Sequence, residues 1–390
     1  MKIIYFVLLF SGYLLACFYV ALRGWSILPA VGWVKVIYII SMIYLQFGYM
    51  VCMVFYKHLP LWIGKGMECV GSTWLIAMIY FLIAVLIIDV VRLLNHWFPF
   101  LPSFELITTL RFRQYVALLI LTAIGLLFWA GYYRFIRPKV VEIEIAVKEK
   151  LDNLSDTHLT IVFASDLHLG SLLGLKSAQR FVDLINGENP DLILLGGDVV
   201  NADIKYLQQQ CIQETLQQLH APLGIFAVLG NHEYIGSGPK ASATFLESGG
   251  ICVLRDSVVE IKDVYGKAIL LIIGRDDRIN RNRRSLCDLY AELPQHNSLP
   301  VILLDHQPYQ LDEVVEQRIT LMLSGHTHQG QVWPISWMVT RMYELSHGLR
   351  QKEESSFYVS SGLGIWGPPF RIGTQSEVVV IRFKAKNGME

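Results

Sequence analysis

With 390 residues, 53% of them apolar, and 33 Lys/Arg balanced by 33 Asp/Glu, the chain is too long and too greasy for one soluble domain. The balance is uneven: the first 137 residues carry ten Lys/Arg against three Asp/Glu, leaving 23 against 30 for the remainder. An acidic second half excludes nucleic acid as the expected partner, and six scattered cysteines without metal-type spacing exclude a dense disulfide framework.

In chain order, Ile3–Leu22 is an apolar run flanked by Lys2 and Arg23, enough to cross a hydrocarbon layer of roughly 30 Å. It is too long for a signal-peptide core, and three further runs come after it, Val34–Tyr56, Ser72–Leu94 and Tyr115–Ile136. Four spans put both ends on one side of the membrane. Lys2, Lys57, Lys65, Arg134, Arg137 and Lys139 then face Arg23, Lys35, Arg92, Arg111 and Arg113, and this six-to-five excess places the chain beyond Lys139 on the cytoplasmic side. Asp89 lies within the third span and is expected to pair with Arg92 or snorkel rather than to act chemically.

After Arg137–Pro138 the period changes, which divides the chain into a membrane region, 1–137, and a second domain, 138–390. Val140–Val147 alternates as a half-exposed strand, and 148–158 reads as a polar turn. Strands over Leu159–Ala164, Leu192–Leu195 and Ile225–Leu229 alternate with helices over Leu175–Asn186, Ile204–Leu219 and Lys240–Ser248. Ile251–Leu254, Val258–Ile261 and Ala268–Ile273 read as an antiparallel group. Val301–Leu304, Ile319–Leu323, Phe357–Ser360 and Val378–Phe383 supply the last strands. The expected fold is α/β: four N-terminal membrane helices followed by an α/β sandwich of mixed sheets.

Five polar stretches succeed apolar runs: Asp166–Leu167–His168, Gly196–Gly197–Asp198, Gly230–Asn231–His232–Glu233, Asp305–His306, and Ser324–Gly325–His326–Thr327–His328. Strand alternation, with a turn at Gly325, would let His326 and His328 converge on a metal. Open α/β sheets carry their ligand sites at strand carboxyl ends, so the five stretches can share one crevice. Their hard oxygens and imidazole nitrogens suit Mn, Fe or Zn rather than Ca. Seven donors exceed one tetrahedral ion and suit two divalent ions sharing a carboxylate, with Mn favoured, acting on a shared water.

These motifs resemble the calcineurin-like metallophosphoesterase superfamily over about residues 155–385. The resemblance implies that Asp166, His168, Asp198 and His328 hold one metal and that Asp198, Asn231, His306 and His326 hold the other, with Asp198 bridging. It also implies that His232 contacts the phosphoryl oxygen or protonates the leaving group. Gly274–Arg275–Asp276–Asp277 and Ser361–Gly362–Leu363–Gly364, with Pro369 and Arg371, are similar to the membrane-associated bacterial group of YkuE-type phosphoesterases, and less specifically to UDP-diacylglucosamine hydrolases. That implies a multi-pass protein of the bacterial inner membrane. Two positions depart from the family pattern. Asn201 stands where Asp is common and is expected to weaken outer support, and Glu233 replaces an Asp and is expected to steer His232.

The resulting expectation is a membrane-anchored phosphoesterase whose partners are the bilayer and a phosphate-bearing small molecule or lipid. The alternative is a non-catalytic membrane sensor or scaffold, disfavoured because no ligand is missing. Ser165 and Ser324 read as small residues packing strand ends rather than nucleophiles. Arg275, Arg278, Arg281, Arg283 and Arg284 read either as a seat for an anionic headgroup or as a solvated face. Trp333, Trp337, Met338, Met342 and Tyr343 read either as core or as an apolar wall beside the metals.

Overall fold

A computed structural model describes residues 2–55, 58–99, 109–147, 159–201, 204–294 and 299–385. The stretch 148–158, expected as a turn, lies outside the described residues. The chain forms two compact units, Met1–Ala130 with Gly367–Pro369, and Gly131–Trp366 with Phe370–Glu390.

The first unit is built on helices α1 (Lys2–Trp25), α2 (Gly32–Phe55), α3 (Leu61–Trp97) and most of α4 (Leu110–Ile136). Among the described residues, three helices are long and apolar enough to cross a membrane, namely α2, α3 and α4. Helix α3 begins eleven residues earlier than its apolar core because the polar turn around Lys65 and Glu68 is helical too. Asp89 accepts from Tyr19 and Arg23 of α1, with Arg92 at 3.9 Å, so its charge is neutralised between helices rather than by its neighbour alone.

The second unit stacks two six-stranded sheets. Its strands are β1 (Lys139–Val147), β2 (Thr160–Ala164), β3 (Leu192–Leu195), β4 (Ile225–Ala227), β5 (Cys252–Val253), β6 (Ser257–Lys262), β7 (Ala268–Gly274), β8 (Val301–Leu304), β9 (Leu321–Ser324), β10 (Gly348–Lys352), β11 (Ser355–Val359) and β12 (Glu377–Ala385). The sheet orders are β1-β12-β2-β3-β4-β5 and β10-β11-β9-β8-β7-β6. Side-chain alternation sorts each strand between layers. Ile161, Phe163, Leu192 and Leu194 meet Ile272, Ile302, Leu304 and Leu323 between the sheets. Val162, Ala164, Ile193 and Leu195 face outward onto Ala178, Phe181, Val182 and Ile185, which lie on one stripe of the helix Leu175–Gly187. Leu271, Ile273, Val301 and Leu303 pack against Leu286, Leu289, Leu311 and Val314 on the other side. Strands covered on both faces are apolar throughout, as in Leu192–Leu195.

The last turn of α4 belongs to this unit. Phe135 is 3% exposed in its core, under the Arg180 guanidinium 4.8 Å from the ring centroid. Burying such a side chain contributes about 1.5–3 kcal/mol.

Three local expectations differ from the structure. The helix expected over Ile204–Leu219 is two short ones, Ile204–Gln209 and Ile212–Leu216, broken where Cys211 takes a left-handed φ of 52°. Ile251–Leu254 does not join an antiparallel group. Its central residues pair parallel to β4 in the first sheet, and only β6 runs antiparallel to β7. Strand β10 and the helix Ile335–Met342 are additional.

Candidate metal centre

Strands β2, β3, β4, β8 and β9 run parallel within their sheets, so their carboxyl ends share an edge. From those ends come Asp166 and His168, Asp198, Asn231 and His232, His306, and His326 and His328. The chain turns sharply there. Asp166, His168, Asp198, His326 and His328 all have φ between 46° and 69°, a conformation costing about 1–3 kcal/mol for a non-glycine residue and concentrated at functional sites. Close approach also demands glycine. Gly197 has φ 88°, and a Cβ there would sit 2.7 Å from His306 Nδ1.

Because β9 ends at Ser324, His326 and His328 do not sit on one side of a strand. Their left-handed turns send them to different clusters. Asp166, His168 and His328 bring ligand atoms together, as do Asp198, His306 and His326, and His168, Asp198 and His232 link the two. His168 Nε2 and His328 Nε2 face each other at 2.9 Å, and His328 Nε2 lies 3.4 Å from Asp166 Oδ1. Asp198 Oδ2 is 3.2 Å from His306 Nε2 and 3.8 Å from His168 Nε2. Asn231 Oδ1 is 2.8 Å from His326 Nδ1. His306 donates Nδ1–H to Gly196 O at 2.8 Å, which leaves its buried Nε2 without a hydrogen-bond partner and directed at Asp198. Two opposed ring nitrogens and an orphaned third, all beside carboxylates, fit divalent cations.

The protonation states of three of the imidazoles agree with ligand duty, and His306 is the exception. Burial holds His168 and His328 well below the usual imidazole range and lowers His326 to about 4, so all three are neutral at pH 7. Burial opposes charge on His306 as well, but Asp198 beside it, with Asp166 and Asp277, lifts it well above the ordinary value. Burial favours neutral Asp198, and the charge of His306 beside it, followed by that of His168, overcomes this and holds its carboxyl well below the usual range.

Supporting residues explain the geometry. Glu233 does not steer the His232 ring. Its fully buried carboxylate accepts from Gly230 N at 2.7 Å, Val200 N at 2.8 Å and Asp198 N at 3.1 Å, clamping the turns that carry Asp198 and Asn231. Burial, then the charge of Asp198, pushes Glu233 up to about 8 against the pull of those amides. Asn201 performs the orienting, with Oδ1 2.8 Å from His232 Nδ1, while His232 N donates to Asp198 Oδ1 at 2.8 Å. Arg371 is fully buried and donates to Gly364 O at 2.7 Å, Gly362 O at 3.0 Å and His328 O at 3.4 Å. It pins the Ser361–Gly364 turn, whose Gly364 N in turn donates to Asp166 O at 2.9 Å. The sequence motif containing Arg371 marked this residue without revealing what it does.

The arginine cluster divides. Arg275 and Arg283 pair with buried Asp305 at 3.2 and 3.3 Å, and Arg284 pairs with Glu292. Arg278 and Arg281 are exposed. Arg278 stacks 4.5 Å from the Tyr309 ring centroid, and Tyr309 meets Tyr343, which reaches to 6.3 Å from His326. Of the stretch Trp333–Tyr343, Tyr343 approaches the centre, and the helix Ile335–Met342 has no buried residue. Ser324 Oγ donates to Asp305 O at 2.6 Å, a packing role.

A family model described as calcineurin-like phosphoesterase matches residues 159–330. The chain is 35% identical over 265 residues to an uncharacterized metallophosphoesterase of Helicobacter pylori (strain ATCC 700392 / 26695), covering 67% of this chain and 68% of that one. It is 34% identical over 261 residues to an uncharacterized metallophosphoesterase of Aquifex aeolicus, covering 66% of this chain and 97% of the other. A transmembrane protein with metallophosphoesterase domain from Danio rerio is 32% identical over 292 residues, 72% of this chain and 65% of its own.

Proposed function

Since the chain belongs to the calcineurin-like phosphoesterase family, we propose that it is a membrane-anchored, dinuclear-metal hydrolase of phosphate ester or pyrophosphate bonds whose natural substrate is lipid-linked. The observation that carries the reading is the convergence of Asp166, His168, Asp198, His232, His306, His326 and His328 into three adjoining ligand clusters, two of which share Asp198. Asp166, His168, Asp198 and His328 hold one ion in this reading. Asp198, Asn231, His306 and His326 hold the other. When bound, two divalent ions, Mn favoured, supply Lewis acidity and an activated water.

The chain's own residues fix the geometry and supply a proton. Glu233 holds the Asp198 and Gly230 turns rigid through three backbone amides. Asn201 accepts Nδ1–H of His232 and leaves Nε2 as the nitrogen that carries a proton to the reaction. Water oxygen bonds to phosphorus and gives up a proton, the phosphorus–oxygen ester bond breaks, and the departing oxygen takes the Nε2 proton of His232 in its imidazolium form, whose neutral ring is then restored by the proton that the water released. Such a positioned acid contributes about 10²–10⁴-fold.

The apolar helices α1–α4, three of them long and apolar enough to span among the described residues, and the six-to-five excess of basic residues that a four-span arrangement gives support a bacterial inner-membrane protein with its α/β unit cytoplasmic. The test uses full-length protein in detergent, loaded with Mn and offered phosphomonoesters, phosphodiesters and a lipid-linked pyrophosphate in mixed micelles. The reading expects hydrolysis with preference for the lipid-linked substrate. Equal or better turnover of the soluble esters removes the lipid assignment, and no turnover of any favours the non-catalytic scaffold.

A further inference from the structure

The helix Ile335–Met342 has no buried residue, and its Trp337, Met338 and Met342 side chains are exposed among the described residues. Trp333, Trp337, Met338 and Met342, with Trp366 from the neighbouring loop, are between 49% and 71% exposed. The Trp366 turn is fixed to the start of this segment, since Gln331 Nε2 donates to Trp366 O and Trp366 N donates to Gln331 Oε1, both at 2.9 Å. Arg341 lies 3.9 Å from the Trp337 ring centroid. Large aromatic and thioether groups left in water beside a cation are the composition of a segment that rests in a lipid interface.

The fold says where that interface is. Helix α4 runs 27 residues from Leu110 to Ile136, about 40 Å at 1.5 Å per residue, against a hydrocarbon thickness of roughly 30 Å. That excess lets its last turn, Gly131–Ile136, stand outside the hydrocarbon as part of the second unit, carrying Tyr132, Tyr133 and Arg134 ahead of Arg137, residues typical of a membrane boundary. Gly131 O accepts from Arg371 N at 3.0 Å. One strand spacing further, Ile372 N donates to Gln331 O at 3.1 Å and Trp333 N donates to Ile372 O at 2.8 Å. Two hydrogen-bonded steps, on the order of 10 Å, thus join the emerging end of α4 to the residue that leads into the exposed helix.

We propose that Trp333, Trp337, Met338, Met342 and Trp366 form a docking surface for the bilayer that α4 spans, seating the aromatic and Met side chains in the headgroup layer with Arg341 toward lipid phosphates. The proposal rests on the membrane-anchored reading of the chain. It gives the α/β unit a second attachment, so that this face lies flat on the lipid surface instead of turning freely on α4.

The test uses the full-length chain with Cys211, Cys252 and Cys287, the exposed native thiols, changed to Ser. A Met338→Cys variant, and separately a Tyr265→Cys variant on the exposed β6–β7 turn, carries an environment-sensitive fluorophore. Each is reconstituted into phosphatidylethanolamine–phosphatidylglycerol vesicles with and without doxyl-labelled acyl chains. Doxyl lipid should remove most of the emission at position 338 and little at 265. Co-flotation with vesicles but equal quenching at the two positions overturns the docking alone. Unquenched label at 338 with crosslinks between chains at that position assigns the face to a second copy and also overturns it. Failure of the chain to co-float overturns the anchoring and the docking with it.

Discussion

Replacing Glu233 with Ala is the sharpest test of how the centre is held. The carboxylate is fully buried and accepts three backbone N–H groups, from Gly230 at 2.7 Å, Val200 at 2.8 Å and Asp198 at 3.1 Å. Each buried donor left unpaired costs about 1–3 kcal/mol, so the three together give about 3–6 kcal/mol once partial rehydration of the hole is allowed for. That is a large part of the roughly 5–15 kcal/mol that stabilises a typical domain. Glu233→Gln keeps the shape and one acceptor oxygen. It loses the bond to Val200 and turns an NH2 against that amide, for about 1–3 kcal/mol. Because the same amides fix Asp198 and the turn before Asn231, metal affinity should fall about 10–100-fold in Glu233→Ala, the scale seen when the groups behind a ligand are removed. Chemical denaturation of the detergent-solubilised, chelator-treated protein, with metal titration of the folded variant, reads both effects. Glu233→Ala within about 0.5 kcal/mol of the parent, with unchanged metal affinity, would refute the clamp.

Arg371→Met should destabilise the protein by about 2–4 kcal/mol, since the Gly362 and Gly364 carbonyls lose their buried donor, and Arg371→Lys should recover part of this, because the single nitrogen Nη2 serves both carbonyls and an ammonium can stand in for it while the bond from Nη1 to His328 O is lost; thermal melts compare the three. Asp198→Ala should lose both metals, as Asp198 takes part in two of the three ligand clusters, whereas His232→Ala should keep them and lose about 10²–10⁴-fold in rate; elemental analysis alongside kinetics separates the two. Metal-free protein should lose stability on acidification from about pH 6.5 toward 4. His168, His328 and His326 are depressed by burial in the folded state, so the unfolded chain binds more protons there and acid favours it. The raised Glu233 carboxyl and the raised His306 imidazole act in the opposite sense, but they are two groups against three. Denaturation midpoints across that range check the sign, and a midpoint that rises on acidification would contradict it.

Much of the α/β unit was readable because its central strands are covered on both faces. Unbroken runs such as Leu192–Leu195 and Val301–Leu304 leave no other place for their side chains. The donors were readable for a related reason, because each polar stretch comes after a strand and strand ends converge. Pairings between distant, short or charged segments were not readable. Cys252–Val253 is only two residues long, so its choice of sheet depends on β4 rather than on its own pattern. Arg275 and Arg283 resemble a surface patch in sequence, yet Asp305, distant along the chain, neutralises them. Asn201 looks like a weakened support, yet its carbonyl meets His232 at hydrogen-bond distance, and Glu233, expected to steer that ring, grips backbone instead. Phe135 reads as one more apolar residue of a span, although it fills the core of the second unit.

The central claim is that the donor set centred on Asp198 binds two metal ions and hydrolyses phosphate esters. Its most direct measurement is turnover of bis(p-nitrophenyl) phosphate by the full-length protein as chelator is added and Mn is then restored, with bound metal counted in the same samples. The account predicts that rate and metal content fall together, that both return with Mn at two ions per chain, and that Asp198→Ala recovers neither. Hydrolysis that persists in the fully stripped protein, or that survives in Asp198→Ala, would contradict it.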